Sequence, residues 1–75
     1  MIQVKFFASL KELYGEDKRI PHREDLTAIG VWKLLTGKKE VDNNVLIAIN
    51  HEYADSTAQL VDGDEVAFFP PVTGG

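Results

Sequence analysis

Ile2, Val4 and Phe6 alternate with Gln3 and Lys5, the period-two pattern of a strand that buries one face. Phe7 breaks the alternation, so two adjacent aromatics must point to opposite sides. Ser9-Leu10-Lys11-Glu12 has capping-box spacing, and Leu13, Tyr14 and then Gly15 complete the signature of a short helical turn. Lys18 to His22 is expected as a second strand, hairpin-like to the first, with Pro21 confining it to an edge or an end. Further on, Ala28, Val31, Trp32 and Leu35 recur at helical spacing, behind Asp25 or Thr27 as cap and ahead of Gly37 as terminator. This is the one main helix, and Trp32 on its apolar face is expected in the core.

Val45 to Ile49 is continuously apolar and β-branched at three of its five positions, consistent with a buried strand. Asn50-His51 then begins a turn toward a short Tyr53-Ala54 strand. Asp62-Gly63-Asp64 is a turn signal that launches a last strand, Glu65 to Phe69, with Val66 and Phe68 on one face and Ala67 and Phe69 on the other. Pro70 and Pro71 supply no further ladder donors and end it. The order strand, short helix, strand, helix, then three strands reads as α+β, a mixed sheet wrapped on one main helix. A single domain is expected over residues 1–75, with 70–75 as an extended tail.

Seventy-five residues lie near the lower limit for one unstapled apolar core, and there is no cysteine to staple with. The lack of cysteine removes any disulfide, any thiolate metal site and any side-chain thiol that carries sulfur. Eight basic and twelve acidic residues give a net charge of −4, which argues against a nucleic-acid surface and mildly favours a basic protein partner. No apolar run approaches the roughly 20 residues of a membrane span, and the N-terminus lacks a leader pattern, so a cytoplasmic address is expected. His22 and His51 stand apart as solvated loop residues and no metal site is expected. Without a phosphate loop or a nucleophile elbow, the chain is not expected to catalyse anything alone or to bind a cofactor.

The ending carries the chemistry. The run Val66-Ala67-Phe68-Phe69-Pro70-Pro71-Val72-Thr73 is uncharged and leads to Gly74-Gly75, so beyond Glu65 the only charge is the α-carboxylate of Gly75. Pro70-Pro71 favours an extended exit, which lowers the entropy lost on insertion into a partner. Gly74 and Gly75 have no side chains to block a narrow channel, and the six residues from Pro70 reach at most roughly 20 Å. Phe7, Phe69 and Tyr53, turned away from the core, would form an aromatic patch depleted in charge beside that exit, the composition of an interface centre. Asp62, Asp64 and Glu65 are candidates for contact with basic residues of a partner.

Residues 60 to 75, Leu-Val-Asp-Gly-Asp-Glu-Val-Ala-Phe-Phe-Pro-Pro-Val-Thr-Gly-Gly, resemble the C-terminal signature of the molybdopterin synthase small subunit family. Met1-Ile2-Gln3-Val4-Lys5-Phe6-Phe7-Ala8 and Ala48-Ile49-Asn50 resemble it too, whereas residues 16 to 44 are similar only in pattern and slightly compressed. The resemblance implies the β-grasp fold of ubiquitin-like proteins. It further implies that Gly75 is adenylated by an ATP-using adenylyltransferase-type activating enzyme, converted to a thiocarboxylate, and inserted with Gly74 into the large subunit of molybdopterin synthase. There it would give its sulfur to a pterin precursor, in an assembly of two small subunits on a large-subunit dimer. The partner-binding residues on this reading are Phe7, Tyr53, Phe69, Pro70, Pro71, Val72 and Thr73. A sulfur carrier for thiazole synthesis, as in thiamine production, and a ubiquitin-like protein modifier share the terminal glycine pair and stay open as alternatives.

Overall fold

The computed structural model describes residues 1–71 of the chain. Seven elements follow in order: β1 (Ile2–Phe6), α1 (Ser9–Tyr14), β2 (Lys18–Ile20), α2 (Ala28–Thr36), β3 (Leu46–Ile49), β4 (Glu52–Tyr53) and β5 (Glu65–Phe69). They build one five-stranded sheet in the order β2-β1-β5-β3-β4. The central pair β1 and β5 is parallel, with Val4 beside Val66 and Phe6 beside Phe68, and every other pairing is antiparallel.

The residues on the inner face of the sheet explain the packing. Ile2, Val4 and Phe6 from β1, with Val66 and Phe68 from β5, are sealed from solvent against Ala28, Val31 and Trp32 of α2. Aromatic rings dominate this core. Trp32 lies 5.1 Å from Phe68 and 5.7 Å from Tyr14 between ring centroids, and Phe6 lies 5.7 Å from Phe68. The buried indole keeps a partner, since Trp32 Nε1 donates to the Glu40 carbonyl at 2.9 Å. Leu35, expected on the same face of α2, is half-buried at the margin of the core.

Both ends of α2 follow from side-chain chemistry. Thr27 is the cap, its hydroxyl oxygen accepting from the Gly30 amide at 3.1 Å, and Gly37 terminates the helix in the left-handed region at φ 76°. Of the two candidate caps, Thr27 therefore serves and Asp25 does not.

The start of α1 differs from the expected capping box. Ser9 is already the first helical residue, and the cap position is Ala8, which has no side-chain acceptor and sits at φ 54°, ψ −129°. The cause lies in the hand-over from β1: Phe7 turns outward while Leu10 must enter the core, and the sharp turn at Ala8 reconciles the two. Strand limits shift slightly as well. β2 stops at Ile20 because Pro21 has no amide to donate, and β4 starts at Glu52 because the two-residue turn Asn50-His51 sets Glu52 opposite Ile49. Both turn residues have positive φ, 51° and 71°, as a type I′ hairpin requires.

Candidate docking face and tail exit

Strand alternation makes the site. Because β1 and β5 run in parallel register, Phe6 and Phe68 share the inner face at 1% and 0% exposure, and Phe7 and Phe69 share the outer one. Phe7 is 47% exposed and meets the half-buried Phe69 edge-to-face, 6.5 Å between centroids. Tyr53, 76% exposed on β4, stands 6.0 Å from Phe69 on its other side. Three rings, on β4, on β5 and just past the end of β1, thus converge next to Pro70 and Pro71, where the chain leaves the sheet.

These rings wall an open groove of about 610 Å³. Five of the residues singled out from the sequence, Phe7, Tyr53, Phe69, Pro70 and Pro71, line it together. Val72, Thr73, Gly74 and Gly75 lie outside the described residues. Glu65, singled out for its charge, joins them, and sequence reasoning missed the remaining lining: Ala8, Ala48, His51 and Ala67. Small side chains give no signal of their own, and Ala48 meets Ala67 only through the β3–β5 register. The groove's polar end is internally paired. Lys5 Nζ and His51 Nε2 approach the two oxygens of the Glu65 carboxylate, at 3.5 and 3.6 Å.

The acidic turn is not a single exposed surface for a basic partner. Asp64 is 9% exposed and accepts from Asn50 Nδ2 and from the Val61 amide, each at 2.8 Å, so it serves as an internal clamp. Asn50 closes the bracket by accepting from the Glu65 amide at 3.0 Å. Asp62 is exposed and pairs with the Met1 ammonium, which holds its carboxyl below the usual aspartate range through a hydrogen bond and then by charge. His22 also departs from the expectation of a solvated loop residue: it is half-buried, and its Nε2 lies 3.0 Å from the Leu60 carbonyl. Among the described residues no group of three or more His, Cys, Asp or Glu is placed to hold a metal, and no helix is long and apolar enough to cross a membrane.

A mixed five-stranded sheet closed over one main helix is the ubiquitin-like β-grasp architecture. Within that class the chain belongs to the ThiS family, whose pattern it matches over residues 4–75. It is 37% identical over 81 aligned residues to the molybdopterin synthase sulfur carrier subunit of Escherichia coli, with all of both chains covered. To the human protein of the same name it is 30% identical, covering 99% of this chain and 93% of that one. Among solved structures it resembles SAMP1 from Haloferax volcanii, with a TM-score of 0.82 at 28% identity over 99% of this chain and 98% of that chain. It also resembles a chain of the complex of subunits 1 and 2 of molybdopterin-converting factor from Helicobacter pylori, with a TM-score of 0.70 at 29% identity over 99% and 97%.

Proposed function

We propose that this protein is the sulfur carrier subunit of a molybdopterin synthase, with Gly75 as the atom-bearing residue. The observation that carries this reading is the end-to-end similarity to named sulfur carrier subunits, within a family match that runs through Gly75. An α-carboxylate resists nucleophiles, so activation must come first. The Gly75 carboxylate oxygen attacks the α-phosphorus of ATP on an activating enzyme and pyrophosphate leaves. Sulfide-level sulfur then attacks the acyl carbon, the C–O bond to AMP breaks, AMP leaves, and a thiocarboxylate remains. The large subunit receives the tail, sulfur passes to the pterin precursor, and water cleaves the remaining bond between sulfur and the Gly75 acyl carbon, restoring the carboxylate; two such deliveries build the dithiolene. The chain itself binds no cofactor in this scheme and works in the cytoplasm.

The outer groove supports the reading because whatever swallows the tail must cover the surface from which Pro70 and Pro71 emerge. Phe7, Tyr53 and Phe69 then supply desolvated aromatic contacts of the kind that dominate interfaces. A second reading, a protein modifier joined through Gly75 to lysines, is favoured by the likeness to a structure described as H. volcanii small archaeal modifier protein 1, with a TM-score of 0.81. One experiment separates them. Intact mass of the protein purified from cells containing its activating enzyme, with fragmentation, should place on Gly75 a gain equal to sulfur replacing one oxygen. An unmodified terminus accompanied by isopeptide-linked lysines on other proteins would move the assignment to a modifier.

A further inference from the structure

Registers across the outer face place Lys5, Ala67, Ala48 and Tyr53 in one row over four strands, so the two smallest side chains occupy its centre. The adjoining row carries Phe69, which Leu46 faces on β3 and Phe7 meets edge-to-face. Ala48 and Ala67 are therefore a methyl floor, and Phe69 and Tyr53, in ring contact with each other at 6.0 Å between centroids, rise together along one side of it. At the rim Lys5 pairs with Glu65, and the His51 ring faces the other oxygen of the same carboxylate. A charged visitor would lose its hydration over this floor without finding a free counter-charge, whereas an apolar one would lose nothing.

We propose that the floor formed by Ala48 and Ala67 is a socket for one large apolar side chain, of the leucine, methionine or phenylalanine kind, projecting from the protein that accepts the tail. The small size of these two alanines then determines which partner fits. This rests on the tail-docking reading above, because the partner is placed over the groove by the emergence of Pro70 and Pro71 beside it. Nothing in the core depends on either alanine, since both lie on the sheet face opposite Phe68 and Trp32. Filling the socket should therefore block docking without harming the fold.

The test is calorimetric binding of the full-length chain to the purified large subunit of the synthase from the same source, for wild type, Ala67→Leu and Phe69→Ala. Ala67→Leu is expected to bind at least about tenfold more weakly while its thermal unfolding is unchanged or improved, a loss of hot-spot size. If Phe69→Ala weakens binding and Ala67→Leu does not, the socket is wrong and the docking face stands. If neither variant changes affinity, the docking face itself fails and the socket with it. Should Ala67→Leu lose its fold, Ala48→Val, which adds two methyl groups in a residue type suited to strands, is judged by the same criteria.

Discussion

Phe68 and Phe69 are neighbours with opposite duties, and single substitutions should separate them. Phe68→Ala removes a ring fully enclosed by Phe6 and Trp32 and should cost about 3–5 kcal/mol, enough to unfold much of so small a protein. Phe69→Ala loses two partly exposed ring contacts and should cost only about 1 kcal/mol in urea unfolding, while the large subunit is bound at least about tenfold more weakly. Ala8 invites the reverse experiment. Its φ of 54° with ψ of −129° suits glycine, so Ala8→Gly should relieve about 1–3 kcal/mol of strain against a smaller gain in unfolded-chain entropy. A net stabilisation of about 1 kcal/mol by urea unfolding is expected, seen as a raised midpoint, and any destabilisation would refute the strain.

At the level of elements, the β3–β4 turn is locked to the head of β5 by Asn50 and Asp64. Asp64→Ala strands the Val61 amide and the Asn50 side chain in a part-buried setting, so it should cost about 2–3 kcal/mol, more than an exposed substitution such as Glu24→Ala. Loss of amide protection at Val61 and Glu65 in hydrogen exchange would localise the damage to this junction. The elements themselves were legible to different degrees. β1, α2 and β5 announce themselves through periodicity, and Thr27 and Gly37 mark the ends of α2. The cap of α1 was misread because Ser9-Leu10-Lys11-Glu12 satisfies a local pattern, whereas the backbone there answers to where Phe7 and Leu10 must go. Local spacing lost to tertiary packing.

For the whole molecule, the tie between Met1 and Asp62 closes the chain's start onto the loop before β5, and it predicts a small acid response. Asp62 titrates below its ordinary value of 3.8, so its contribution is present above that value and is lost as pH falls through the lower folded one. Both partners are exposed, so the effect is modest and screened by salt. Comparing wild type with Asp62→Asn from about pH 5 to pH 2, any stability advantage of the wild type should shrink toward zero at the acid end and in high salt. The sequence by itself determined the α+β class, the alternation within β1 and β5, the presence of two adjacent aromatic pairs and the glycine ending, because each depends on residue type at short spacing, whereas which ring of each pair faces out was decided by the fold. Only the tertiary structure decided that β1 and β5 are parallel neighbours, that Phe7, Phe69 and Tyr53 meet around one groove, and that two alanines form its floor. Those facts depend on pairing between segments up to about sixty residues apart, and pairing is set by the shared burial of Ile2, Val4, Phe6, Val66 and Phe68 against Trp32. Asp64 makes the same point for polar groups: its spacing reads as an exposed turn, but the fold encloses it because the β3–β4 turn and β5 happen to meet there.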